Sequence, residues 1–326
     1  MNPVCSFLDR AGWGAAESMP LAGDASSRRY ERLSGPAGHA VLMHDPHGDV
    51  ELFARLARYL DASGCSAPMI LATDPDQGLL LSEDFGDRLV ARLCDGDPDV
   101  ELNLYRAAGE LLAHLHQCPP PKGLTRASAA TLGQATDLAF VYYVADPAAA
   151  AETAARSAEL VATAIDAYAP VSDVLVLRDF HAENLIWLPD RSGIRQLGLL
   201  DFQDALIGHR AYDLASLIRD ARRDVSAAAA QAAIESYFGG DPTPDFGAAL
   251  AVCGVQRNLR ILGVFARLAQ VAGKPRYIDL IPRVWSHLQT DLAHPAMHDL
   301  RAFLSRVLPV PTATHLSYLR SGCPMP

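Results

Sequence analysis

Residues 177–204 read LRDFHAENLIWLPDRSGIRQLGLLDFQD. Three short apolar runs, residues 174–177, 185–188 and 197–200, predict strands, and the Pro/Gly-containing segment 189–193 predicts a turn between the last two. Asp179 and Asn184 then fall on a loop before the second strand, and Asp201 falls just past the third. The pattern brings these three polar side chains to one end of a strand–loop–strand–turn–strand unit. One Asp beside a strand is ordinarily a turn former or cap, but three in this order and spacing point to chemistry. Magnesium prefers hard oxygen donors and usually takes one or two carboxylates together with substrate phosphates. Phosphoryl transfer asks the protein mainly for positioning, charge neutralisation and a carboxylate for the acceptor's proton.

The stretch resembles the catalytic and metal-binding segments of the aminoglycoside phosphotransferase family, which are related to protein kinases. Their pattern is H-x-D-x-x-x-x-N followed by D-[FW]-x-D. The resemblance implies Asp179 as catalytic base and Asn184 and Asp201 as Mg²⁺ ligands. Asp204, which completes D-F-Q-D, is implied as a structural residue or a lesser metal contributor. The leading His of the pattern is Leu177 here, a position that is mainly architectural in kinases. The implied fold is α+β and two-lobed, protein-kinase-like, with ATP as co-substrate.

Working outward, the rest of the chain suits that division. Residues 29–33 and 39–43 are strand-like around a Gly/Pro turn. Phe53, Leu56, Ala57 and Leu60 follow helical spacing, and residues 68–71 and 78–81 suggest two more strands. This predicts a small β-rich N-lobe over residues 1–84. Residues 85–326 are expected to form a larger, mostly α-helical C-lobe. Its helices are expected around the stripe Leu104, Ala108, Leu111, Leu112 and Leu115, and over 148–169, 213–223, 227–238, 252–271 and 277–292. The triple proline 119–121 and the tail from Pro309 read as loops.

In the resembling family the nucleotide sits between lobes. That implies a hinge at residues 80–84, including Leu81 and Glu83, which offers main-chain groups to adenine. Gly23, Ser26 and Ser27 form a candidate phosphate loop, with close backbone approach at glycine and hydroxyl donors beside it. The family's strand Lys, which holds the α/β-phosphates, is missing. Both lysines, Lys122 and Lys274, lie beyond the small lobe, and Met43 stands near the expected site. A triphosphate still needs compensating charge, and Arg28 and Arg29 are the nearest candidates. Glu51 occupies the place of the helix acid that would pair with such a Lys.

Three further strings resemble the bacterial cell-wall amino-sugar kinases within this family: LAGDASSRRY at 21–30, EDFGDR at 83–88 and VQRNLRILGVFARL at 255–268. Those enzymes phosphorylate the anomeric hydroxyl of N-acetylmuramate and N-acetylglucosamine, so the resemblance implies a small amino-sugar acceptor. Arg257 and Arg260, at helical spacing, are candidates to face an acidic sugar, or else form a solvated face or internal ion pairs. His209 is a candidate near the acceptor, and Asp213 is implied as a brace of the catalytic loop. An antibiotic (aminoglycoside) kinase is the nearest alternative, and a nucleotide-binding pseudokinase without turnover is another.

Composition agrees with a cytoplasmic enzyme. The net charge of −10 argues against a nucleic-acid partner. No charge-free apolar run of about 18 residues predicts a membrane span. The first ten residues lack a secretory pattern, and six scattered cysteines without a C-x-x-C pair suggest reduced thiols. No obligate protein partner is inferred.

Overall fold

A computed structural model describes residues 3–21, 28–144, 150–170, 172–243 and 245–322. The chain divides into two compact units, residues 1–97 with 182–204, and residues 98–181 with 205–326. The division after residue 97, rather than at the expected 84, keeps a short helix with the sheet. The segment 182–204 returns to the first unit.

The first unit begins with helix α1 (Pro3–Arg10), followed by strands β1 (Glu17–Leu21), β2 (Arg29–Gly35) and β3 (Gly38–His44). Helix α2 (Val50–Ala62), strands β4 (Ile70–Asp74) and β5 (Leu79–Glu83), and helix α3 (Val90–Leu93) complete its N-terminal part. The strands form one antiparallel sheet in the order β1-β2-β3-β5-β4. Alternation sets its faces. Leu33, Ala40, Leu42, Leu79 and Leu81 pack with Phe7 and Trp13 as one buried cluster. The sequence pattern predicts β2 to β5 and α2, but neither α1 nor β1. Asp49 caps α2 by accepting the Leu52 N–H at 2.8 Å, and Phe53, Leu56, Ala57 and Leu60 are its buried stripe, as the spacing predicts.

The second unit carries helices α4 (Pro98–Leu115), α5 (Ala129–Gln134) and α6 (Ala150–Tyr168), then strand β6 (Val174–Val176). Strands β7 (Leu185–Trp187) and β8 (Leu197–Leu199) form a hairpin that belongs to the first unit. The chain then returns to the second unit as β9 (Leu206–Gly208), antiparallel to β6. Helices α7 (Ala211–Ile218), α8 (Ala227–Phe238), α9 (Phe246–Gln270), α10 (Ile281–Leu292), α11 (His298–Val307) and α12 (Ala313–Ser321) complete it. The tail expected as a loop therefore contains a helix. Pro309 and Pro311 precede the cap, where they do no harm. Thr312 accepts the His315 N–H, and Gly322 ends the helix at φ 65°.

Helix α9 organises this unit. By length and composition it is apolar enough to cross a membrane, yet 78% of its most apolar window is buried inside the protein. At Gly263 a Cβ would stand 2.2 Å from the backbone carbon of Leu138, so only glycine lets the π-helical turn Ala139–Val144 approach so closely.

Burial holds five histidines below their ordinary pKa: His116 at about 3, His209 at about 4, and His181, His287 and His315 in the same direction. Each binds its proton less readily in the folded chain than in the unfolded chain. Their stabilisation is present above pH 6.5 and is lost as pH falls through that value, by up to about 1.4 kcal/mol per group per pH unit. Asp213 and Asp291, pushed up by burial to about 7 and about 6, act in the opposite sense. The two acids offset the loss from His116 and His209 over this range, and the depressed His181, His287 and His315 tip the balance. The unfolding temperature is expected to drop between pH 7 and pH 5 in a calorimetric series, and a flat or rising profile would contradict this.

Candidate active site

In the second unit, Asp179 follows β6 on a loop whose shape depends on a buried acid. Arg178 adopts φ 72°, a left-handed conformation unfavourable for a residue with a side chain. Its peptide groups explain why it persists. Asp213, fully buried on α7, accepts the Leu177 N–H at 2.7 Å and the Arg178 N–H at 2.9 Å. The Arg178 carbonyl accepts from Ser216 Oγ at 3.2 Å and from Arg257 Nη2 at 3.3 Å. Arg257 also donates to Ser216 Oγ at 2.6 Å and lies over the Tyr212 ring at 5.6 Å. Three hydrogen bonds on one residue's main chain thus hold the bend that presents Asp179.

Burial would raise the Asp179 carboxyl, but His181, Arg257, Arg260 and Arg178 outweigh it and hold the pKa below the ordinary value. Burial in turn lowers the His181 imidazole, against the pull of Asp220 and Asp179. Asp179 is ionised at neutral pH and is a weak base. That suits a loose phosphoryl-transfer transition state, in which the acceptor loses its proton late.

In the first unit, the β7–β8 hairpin places Asn184 and Asp201 at one end. Leu185 pairs with Leu199, and the Leu200 N–H donates to the Asn184 carbonyl at 3.0 Å, so the two candidate metal ligands leave neighbouring positions of adjacent strands. Asp201 has φ 54°, a second left-handed non-glycine residue. The hairpin is anchored to the rest of its unit. The Leu199 N–H donates to the Ser66 carbonyl at 2.8 Å, and the Trp187 N–H to the Arg88 carbonyl at 2.9 Å. Phe202 packs on Phe53 with ring centroids 4.7 Å apart.

Asp201 Oδ1 accepts from Gln203 Nε2 at 2.8 Å and from Arg28 Nη1 at 2.9 Å. Arg28 Nε donates to Asp45 Oδ2 at 2.9 Å, and its Nη2 lies 3.9 Å from Asp204 Oδ2. An amide and a carboxylate at one hairpin end supply oxygen donors of the kind Mg²⁺ takes, and the Arg28 guanidinium lies against one of the carboxylate oxygens.

The other candidates fall in various places. Gly23, Ser26 and Ser27 lie outside the described residues. Arg29 is exposed at the start of β2, opposite His44, whereas its neighbour Arg28 points into the acidic cluster. Met43, near the place of the missing Lys, is buried between Tyr30 and Leu80, and Glu51 is exposed in the first turn of α2. Leu81 is buried in the middle of the sheet, with Leu42 on one side and Ala72 on the other. Glu83 donates its N–H to the Met69 carbonyl at 2.8 Å, and its carboxylate takes Arg191 at 2.6 Å. The main chain of Leu81 therefore serves the sheet, and the Glu83 N–H serves its link to the 69 loop.

His209 Nδ1 accepts the Ala211 N–H at 3.1 Å. The ring lines a cavity of about 480 Å³ with Ser172, Gly208, Cys253 and Gln256. Ser172 and Gly208 mark the Val174 end of the β6–β9 ladder, whereas Asp179 follows its Val176 end. Arg257 braces the loop as described. Among the described residues the Arg260 side chain makes no hydrogen bond or ion pair, although it is only partly exposed. Sequence reading misses Asp45, a buried acid that anchors Arg28. An Asp before Pro46 and a glycine reads as a turn former, and nothing in the local pattern separates it from one.

The profile of the phosphotransferase enzyme family (APH) matches residues 17–250. The chain belongs to this family. It is a phosphotransferase. It is 39% identical to the N-acetylmuramate/N-acetylglucosamine kinase of Caulobacter vibrioides, over 94% of this chain and 96% of that one. It is 32% identical to the enzyme of the same name from Pseudomonas aeruginosa, over 90% of each chain. Among solved structures, this phosphotransferase resembles a choline/ethanolamine kinase family protein from Mesorhizobium loti, with TM-score 0.64, 18% identity, and coverage of 98% of this chain and 100% of that one. It also resembles the ADP-bound aminoglycoside phosphotransferase APH(2'')-Ib, with TM-score 0.60, 15% identity, and coverage of 89% and 98%. These two are likenesses of fold. They agree with the expected α+β, kinase-like architecture of a small antiparallel sheet and a mostly helical remainder.

Proposed function

We propose that this phosphotransferase is a cytoplasmic kinase that moves the γ-phosphoryl group of ATP to a hydroxyl of a cell-wall amino sugar, N-acetylmuramate or N-acetylglucosamine, at C1. The observation that carries the reading is the near full-length match to two kinases of that specificity. In this reading Asn184 and Asp201 would hold Mg²⁺, which would supply positive charge to the nucleotide's phosphates. Asp179 orients the sugar hydroxyl and takes its proton. The sugar oxygen bonds to the γ-phosphorus, and the bond to the bridging oxygen of ADP breaks. The adenine edge meets main chain just beyond Glu83.

Arg178, Arg257 and Arg260 surround Asp179 electrostatically. That field suits a neutral or acidic acceptor and opposes a polycationic aminoglycoside. Arg260, one helical turn beyond the loop-bracing Arg257, is the residue we assign to the carboxylate of an acidic sugar. Arg260→Met is expected to lower kcat/KM for N-acetylmuramate by about tenfold or more and to leave N-acetylglucosamine nearly unchanged. Equal losses on both sugars would remove Arg260 from specificity.

The reading as a whole is tested by a phosphorylation screen over amino sugars and aminoglycosides, with ³¹P and ¹H NMR locating the modified hydroxyl. Transfer only to aminoglycosides would overturn the acceptor, and nucleotide binding without transfer to any acceptor would overturn the kinase.

A further inference from the structure

Arg28 faces three acids of unlike surroundings. Its side chain is 14% exposed. On its Nε side lies Asp45, whose side chain is 10% exposed. On its Nη side lie Asp201 and Asp204, at 40% and 56%. Burial works against the guanidinium's charge, but the Asp45 hydrogen bond, with Tyr30 and Asp201 nearby, overrides it and raises the pKa. A permanent cation is therefore tethered in a dry place at one end and rests at the other on the carboxylate read above as a metal ligand. A divalent ion and this guanidinium compete for the same Asp201 oxygen and repel each other at such range.

We propose that Arg28 is an exchangeable counter-ion of Asp201. Without nucleotide it neutralises Asp201. When a divalent ion arrives with the nucleotide, the Nη groups leave Asp201 and turn to the phosphates, while Nε keeps its hold on Asp45. Arg28 thereby fills the role left open by the buried Met43, from the residue just before β2 and by a different geometry. The proposal rests on the reading of Asp201 as a metal ligand and of the nucleotide as phosphoryl donor.

The test uses the full-length chain and Mn²⁺ as probe. Free Mn²⁺ is titrated by electron paramagnetic resonance without nucleotide, and ATP binding is measured by calorimetry with Mg²⁺ present. Arg28→Met is expected to bind Mn²⁺ alone several-fold more tightly and ATP about tenfold more weakly. Arg28→Lys, which keeps the charge without the two-ended grip, should lie between. Asp45→Asn should weaken ATP binding without tightening Mn²⁺. A merely structural Arg28 would not produce opposite signs. If Arg28→Met and Arg28→Lys, both shown folded by circular dichroism, leave Mn²⁺ affinity unchanged or reduce it, the exchange is wrong. If ATP affinity is unchanged, the phosphate contact is wrong. A parent protein that binds no ATP would instead defeat the phosphotransfer reading on which the proposal stands.

Discussion

Asp179→Asn is expected to bind ATP like the parent and to lose transfer, with kcat reduced by about 10³-fold or more. General-base and orienting carboxylates contribute factors of about 10² to 10⁴, and the amide can still hydrogen-bond a hydroxyl but cannot take its proton. The loop should keep its shape, because its bend depends on the main chain of Leu177 and Arg178 rather than on the Asp179 side chain. The diagnostic is thus a selective one: single-turnover transfer collapses, while the ATP dissociation constant and the unfolding temperature stay near the parent values. Near-normal turnover would remove Asp179 from the chemistry.

Asp213→Ala should fail in the opposite manner. It removes the acceptors of two buried N–H groups at 2.7 and 2.9 Å, each of which costs about 1–3 kcal/mol when left unsatisfied. The left-handed Arg178 also loses the bonds to its N–H and its neighbour's, so the loop should relax toward ordinary backbone angles and carry Asp179 with it. We expect the unfolding temperature to fall by about 5–15 °C and kcat to fall by about 10²-fold or more, because small displacements of a catalytic group are costly. Asp213→Asn keeps one acceptor oxygen and should lie between. Scanning calorimetry beside steady-state kinetics distinguishes the two positions, and an Asp213→Ala protein as stable as the parent would show that the buried pair is not what holds the bend.

Much of the fold is legible in the amino-acid pattern. The strands at 174–176, 185–187 and 197–199 fall within the apolar runs that predict them, because short β-branched and leucine runs bounded by turn residues leave few alternatives. The stripe on α2 follows from helical spacing, and α8 from its alanine-rich helix propensity. The illegible parts are of another kind. Helix α12 has a polar, proline-led sequence, and it forms because Thr312 caps it and Leu319 finds a buried place. Leu81 falls in the hinge that the family resemblance implies, and only the structure shows it paired with strands on both sides.

The basic pair Arg28-Arg29 separates the two sources of information most sharply. The sequence by itself determined the family, the order of Asp179, Asn184 and Asp201, and the absence of any lysine in the first 121 residues. These are matters of residue identity and spacing. Which arginine serves the acidic cluster was decided only by tertiary structure. Neighbouring residues entering a strand face opposite ways, so Arg29 goes to solvent while Arg28 reaches Asp45 and, 173 positions away in sequence, Asp201. The same holds for Arg257 and Arg260. Helical spacing made them alike, and only packing against the Arg178 carbonyl committed the first to the loop. Chemistry at a site depends on which groups share a few ångströms, and a contact across so long a stretch of chain exists only once the sheet and hairpin have formed.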